Sequence, residues 1–224
     1  MMQRLREISR WHVEKHLLGL FLRPEATDVR TRRVADALLP VGWIGPQWRC
    51  YCAGVGEDIR FDRYLVEDCG AQVWAFDPTP RSIAYMRSAE YDRERLHFVP
   101  AGLWSEDTTL RFHGPANPEH VSHSVMEEFG STAYFDAPCR SVPSVMRELG
   151  HDRIDLLKMN IEGAEHIVLG AALDAGIRPQ VIALTFEGDR AFAKTRAWTK
   201  RLRQEGYQLL GRVDWFFTYV RRAA

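Results

Sequence analysis

The sequence predicts an α/β fold: a doubly wound, mostly parallel, Rossmann-like sheet closed by a C-terminal antiparallel hairpin and preceded by an N-terminal helical extension. Three observations carry this expectation. From Trp48 onward, short apolar runs alternate with amphipathic segments in a β-α-β-α-β rhythm. Two later runs, IDLLKMN and VIALTFEG, are apolar almost throughout, as strands covered on both faces must be. The final runs, YQLLGRV and WFFTYVRR, flank a turn near Asp214 and read as a hairpin.

Taken in order, residues 3–22 place Leu5, Ile8, Val13, Leu17, Leu20 and Phe21 at near-helical spacing. A second helix is expected from about Pro24, a favourable first-turn residue, to Leu39. Pro40, Gly42, Gly45 and Pro46 then break the chain, giving an extension or lid over 1–46 and one main domain over 47–224. WRCYCAG is a strand that ends in glycine, with Cys50 and Cys52 on one face. GEDIRFDRYLVEDCG is a helix, AQVWAF a second strand, RSIAYMRSA a helix, and RLHFVPAGLW a third strand. TTLRFHG forms a short extra strand, and NPEHVSHSVMEEFGST is a polar loop. VPSVMRELG, EGAEHIVLGAAL and KTRAWTKRLRQEG supply the remaining helices.

Composition excludes several classes. The 224 residues are 46% hydrophobic and 27% charged, the proportions of a globular protein, so disordered, collagenous and coiled-coil chains are ruled out. Thirty Lys and Arg balance thirty Asp and Glu, and with no basic stripe a nucleic-acid partner is not expected. No run approaches the roughly 20 apolar residues of a membrane span, so no membrane partner is expected. The cysteines at 50, 52, 69 and 139 lack zinc-ligand spacing, so no metal is expected, and reduced thiols suit the cytoplasm. Oligomeric state is not legible.

Three places carry chemistry. The turn after the first strand, Ala53-Gly54-Val55-Gly56-Glu57-Asp58, lets backbone approach a ligand and opens onto a helix start. Asp77, 23 residues beyond Gly54, ends the second strand near the offset of about 20 at which an acid receives the ribose of an adenosine cofactor. Both belong at the carboxyl ends of the strands, where open α/β sheets bind ligands. A nicotinamide dinucleotide fits poorly: Ile59 replaces the third fingerprint glycine, and Glu57 and Asp58 stand where a pyrophosphate would lie. A cationic sulfonium nucleoside tolerates those acids. The third place is IDLLKMN running into IEGAE, which brings Asn160, Glu162 and Glu165 to the crevice edge. Glu162 at a helix start also has a plain electrostatic role there. Lys158 in a buried strand is expected to reach a carboxylate or snorkel outward.

IDLLKMNIEGAE resembles the signature of FkbM-type methyltransferases, usually written with Asp where this chain has Asn160. CAGVGEDIRFD, AFDPTP, VPAGLW, PANPEHVSHS and RELGHDRIDLLKM resemble, in order, blocks of the branch that includes the vertebrate methyltransferase-like proteins. The resemblance implies a seven-stranded class I methyltransferase fold and S-adenosyl-L-methionine as cofactor, with O-methylation of a small-molecule acceptor such as a natural product or sugar. It implies a cofactor surface of Ala53, Gly54, Val55, Gly56, Asp58, Asp77, Pro78, Gly102, Leu103, Asn160 and Glu162. Gly54 and Gly56 would shape the turn, Asp77 hold the ribose, and Ala101, Gly102 and Leu103 wall the adenine.

Methyl transfer to a hydroxyl needs an acceptor oxygen roughly 3 Å from the methyl and a group to take its proton. His123, Glu187 and Glu162 are the candidate catalytic residues, with His120 beside them. Some of Trp11, Trp43, Trp48 and Trp104 are expected to cover the crevice, and the N-terminal helices to help form the acceptor pocket. Two alternatives stay open: attack at another carbon of the sulfonium (a lyase, cyclase or aminocarboxypropyl transferase), for which Asn160 leaves room, and a non-catalytic cofactor-binding module.

Overall fold

The computed structural model describes Leu18 and residues 21–113, 134–186 and 191–222. The central sheet contains β3 (Arg49–Ala53), β4 (Gln72–Phe76), β5 (Leu96–Val99), β9 (Leu156–Met159), β10 (Val181–Thr185), β11 (Gln208–Val213) and β12 (Phe216–Val220). Their order is β11-β12-β10-β9-β3-β4-β5. The five strands β3, β4, β5, β9 and β10 run parallel, and β12 inserts antiparallel between β10 and β11. The chain winds outward through β4 to β5 and then returns to the other side of β3 at β9. The β3/β9 boundary is therefore the switch point at which a crevice opens.

Period-two alternation splits each strand between two cores. Tyr51, Ala53, Leu157, Met159, Ile182 and Leu184 face one side, covered by α3 (Val142–Leu149), α4 (Glu165–Asp174) and α5 (Ala191–Gln204). Cys50, Cys52, Val73, Ala75, Leu156 and Ala183 face the other, covered by α1 (Arg60–Glu67) and α2 (Pro80–Ser88). Both expectations for the cysteines hold there: Cys50 and Cys52 share a face, and all four thiols are free.

Two expectations are corrected. The helix expected over 24–39 is instead a hairpin of β1 (Thr31–Val34) and β2 (Ala37–Pro40). Val34 pairs with Ala37 across a two-residue turn in which Ala35 takes φ 48°, and Val34, Ala37 and Leu39 are buried against the second core. Burial of an alternating face outweighs local helix propensity here. The preceding segment is irregular rather than helical: the amides of Glu25 and Ala26 donate to Leu209 O, capping the exposed edge of β11. The described part of 1–46 thus includes a β hairpin packed on the second core; residues 1–17, 19 and 20 lie outside the described residues.

RLHFVPAGLW is two strands. Pro100 has no amide to continue the ladder, so β5 stays in the main sheet while β6 (Gly102–Trp104) leaves it. β6 joins β7 (Thr108–His113) and β8 (Tyr134–Ser141) in a three-stranded sheet ordered β6-β8-β7. β8 escaped the sequence reading because Pro138 argues against a central strand; it sits opposite Thr109 in the β7 ladder.

Gly211 shows how tightly the hairpin packs. A Cβ there would lie 2.7 Å from Leu38 Cδ1, at the point where the β11/β12 register shifts. Gly211→Ala is expected to cost about 1 kcal/mol and lower Tm by roughly 2–4 °C. Thermal melts should show a smaller loss in a Leu38→Ala background, where the obstructing methyl is gone.

Candidate functional site

β3 ends at Ala53, and the chain bends sharply through Gly54 before α1. Gly54 has φ +83°, and a Cβ on it would sit 1.9 Å from the Asn160 carbonyl oxygen. The bend is pressed against the chain leaving β9, to which it is tied by Asn160 N–H donating to Ala53 O at 3.1 Å. Only glycine satisfies both the left-handed backbone and this approach.

Asp77, at the end of β4, fixes the other side of the bend. Its Oδ2 accepts from the amides of Val55 and Gly56, each at 3.0 Å. Its Oδ1 accepts from Thr79 N–H at 2.9 Å and Thr79 Oγ1–H at 2.7 Å. These four bonds match the roughly four lone-pair directions of a carboxylate. Thr79 in turn caps α2, accepting from Ser82 N–H at 3.3 Å, with Pro80 at the first helical position.

The loop after β9 is a second rigid element. Ala164 N–H reaches back to Ile161 O, and the two central residues, Glu162 and Gly163, have φ 54° and 95°. A glutamate held at positive φ is strained by on the order of 1–3 kcal/mol, the kind of cost found at functional sites. The holder is Glu165, almost fully buried at the start of α4. Its Oε1 accepts from Ile161 N–H at 2.7 Å and its Oε2 from Gly163 N–H at 3.0 Å. Thr185 Oγ1, at the end of β10, lies 3.0 Å from Glu165 Oε1 and 3.2 Å from Asn160 Oδ1, joining the ends of β9 and β10 to the start of α4. Burial pushes the Glu165 carboxyl above the usual carboxylate range, and the Ile161 amide opposes the shift.

Between these elements lies a cavity of about 250 Å³. Of the residues expected at the cofactor, Ala101 does not line it, and the others do: Ala53, Gly54, Val55, Gly56 and Asp58 from the bend; Asp77 and Pro78 from the end of β4; Gly102 and Leu103 from β6; Asn160 and Glu162 from the loop after β9. Asp58 is engaged locally, accepting from Arg60 N–H at 2.9 Å, and the Arg60 guanidinium holds its carboxyl below the usual range. Glu57, also at the rim, is paired with Arg81 at 2.6 Å.

Sequence reasoning missed part of the wall. Phe112 from β7 and Cys139 from β8 face the same space, with Trp104, Phe76 and Ile161. Phe112 stacks on Phe135 at 5.3 Å, and burial pushes the Cys139 thiol up to about 11, leaving it a neutral apolar contact. The alternation of YFDAPCRS was the available signal. Of the tryptophans, Trp104 lines the cavity, whereas Trp43 and Trp48 pack into the second core. Among the candidate catalytic residues, Glu162 is at the cavity; His120, His123 and Glu187 lie outside the described residues, as does Trp11. Among the described residues, no cluster of His, Cys, Asp and Glu could hold a metal ion, and no helix is long and apolar enough to cross a membrane.

The family model described as "Methyltransferase FkbM domain" matches residues 52–209, from the glycine bend to β11. Two proteins named "Probable methyltransferase-like protein 24", from Rattus norvegicus and Homo sapiens, are each 26% identical over 141 residues, which is 63% of this chain and 32% of theirs. The chain therefore matches about a third of the length of these curated relatives. Among solved structures, a Methanococcus jannaschii fibrillarin pre-rRNA processing protein matches with TM-score 0.46 and 11% identity, covering 89% of this chain and 85% of that one.

Proposed function

The chain belongs to the FkbM methyltransferase family, and on that premise we propose that it is an S-adenosyl-L-methionine-dependent methyltransferase acting on a hydroxyl of a small-molecule acceptor. The observation that carries this reading is the convergence of the bend, Asp77, β6 and the loop after β9 on one cavity at the β3/β9 switch point. The residues fit the cofactor. The bend offers backbone with no Cβ in the way, Glu162 lines the cavity with a carboxylate suited to a cationic ligand, and β6 adds an apolar wall. When bound, the cofactor supplies an electrophilic methyl group.

The chain's own residues position and enclose. Asp77 keeps the bend rigid, and a ribose hydroxyl drawn to it shares acceptors already used by Val55, Gly56 and Thr79. Leu103, Phe112 and Cys139 exclude water from the apolar side. Glu162 faces the cavity from a backbone it could not hold without Glu165, and it is the described residue best placed to receive the acceptor's proton. Asn160, with its amide oxygen beside Thr185, offers no carboxylate at the position where related signatures carry one.

Two measurements test this. Titration calorimetry should show saturable binding of S-adenosylhomocysteine. Incubation with labelled S-adenosylmethionine and a panel of hydroxylated small molecules should yield S-adenosylhomocysteine and a methylated product. Release of methylthioadenosine would move the reaction to another carbon of the cofactor, and binding without turnover across the panel would make the chain a cofactor-binding module.

A further inference from the structure

Lys158 lies mid-strand in β9, opposite Cys52 of β3 and Ala183 of β10, where apolar side chains belong. It is partly exposed and, among the described residues, makes no ion pair with a carboxylate. Its ammonium turns instead to the end of β3, with Nζ donating to Gly54 O at 2.7 Å and to Ala53 O at 3.3 Å. In a trans peptide the carbonyl and the following N–H point in opposite directions. The Gly54–Val55 peptide is therefore held from both sides: its oxygen by the Lys158 ammonium, its N–H by the Asp77 carboxylate. Each bond is charge-assisted, the stronger class of hydrogen bond, and the two polarise the same amide in the same sense.

The Lys158 ammonium is partly buried, and Asp62 of α1 is a carboxyl that feels its charge. Asp62 is 2% exposed, and its Oδ1 has no hydrogen-bond partner among the described residues. Burial raises its carboxyl and the charge of Lys158 draws it back toward ionisation. Asp62 and Lys158 thus act on one another electrostatically without a direct ion pair between them.

We propose that Lys158 is a positioning residue for the cofactor pocket: paired with Asp77 across the Gly54–Val55 peptide, it sets the shape of the bend on which the nucleoside rests. This inference depends on reading the cavity as an S-adenosylmethionine site.

The test is calorimetric titration of the full chain with S-adenosylhomocysteine, alongside far-UV circular dichroism and thermal melts. Lys158→Met is expected to fold and to lose affinity by about tenfold or more, as expected from losing hydrogen bonds made by a charged group. Lys158→Arg, which keeps a donor in reach of the two carbonyls, is expected to recover part of that loss. If Lys158→Met does not fold because Asp62 is left unbalanced, the double variant Asp62→Asn/Lys158→Met removes both charges and is held to the same tenfold criterion. A folded Lys158→Met or double variant that binds within about twofold of wild type, with only its melting temperature lowered, marks a purely structural lysine and overturns the proposal. Absence of binding by the unmodified chain instead overturns the reading of the cavity on which it rests.

Discussion

Gly54→Ala is expected to be the most damaging alanine substitution among the described glycines whose surroundings are compared. The new Cβ would lie 1.9 Å from the Asn160 carbonyl oxygen and 2.8 Å from its carbonyl carbon. Both are backbone atoms, so no side-chain rotation can relieve the clash. The residue would also be held at φ +83°, where an L side chain is strained. Strain and overpacking together amount to on the order of 3 kcal/mol or more. For a domain of this size that lowers Tm by roughly 6–12 °C. Any molecules that remain folded should have the bend displaced from the loop after β9, with no measurable heat on titration with S-adenosylhomocysteine. Gly56→Ala is the control. It shares a positive φ of +58° but has nothing within 4 Å of its Cβ, so only backbone strain of about 1 kcal/mol applies. Equal melting temperatures for the two variants would contradict the packing described between β3 and β9.

Asp77→Asn is the second large effect. The substitution preserves volume but replaces one acceptor oxygen with an NH₂ group. Whichever way the amide turns, that group faces donors: the Val55 and Gly56 amides on one side, the Thr79 amide and hydroxyl on the other. Two bonds to a charged acceptor are lost and buried N–H groups confront one another, for a cost of about 2–4 kcal/mol. Because the bend and the cap of α2 depend on the same carboxylate, stability and cofactor affinity should fall together. Melting and titration of the variant check this. An Asp77→Asn chain that melts like wild type and binds S-adenosylhomocysteine with unchanged affinity would show that the carboxylate does not shape the bend.

Much of this arrangement was legible in the sequence because it depends on local signals. The runs around Cys50, Val73, Leu156 and Val181 are continuous and apolar, and each is a strand of the parallel sheet. The offset from Gly54 to Asp77 and the run from Asn160 to Glu162 located one cavity, since both lie at carboxyl ends of neighbouring strands. What was not legible depends on partners remote in sequence. The Ala37–Pro40 strand is specified by its burial against β11 and β12, more than 160 residues away. β8 contains Pro138, and no local rule indicates that its ladder tolerates it. Lys158 carries no sign in its own neighbourhood that its ammonium will reach two carbonyls at the end of β3. The partners of Asp77 were likewise hidden: spacing placed the carboxylate at the crevice but not the three backbone amides that it accepts from.

The three-stranded sheet has a consequence for how such a chain can diversify. Phe112 and Cys139 enter the cavity from β7 and β8, which have their own small apolar cluster and add no strand to the seven-stranded sheet. That wall of the cavity is built outside the seven-stranded sheet. Substitutions in it change the contour presented to whatever enters while leaving the winding order of that sheet intact. Chains of this design can acquire new chemical clientele through one antiparallel ribbon, with the machinery under it inherited unchanged.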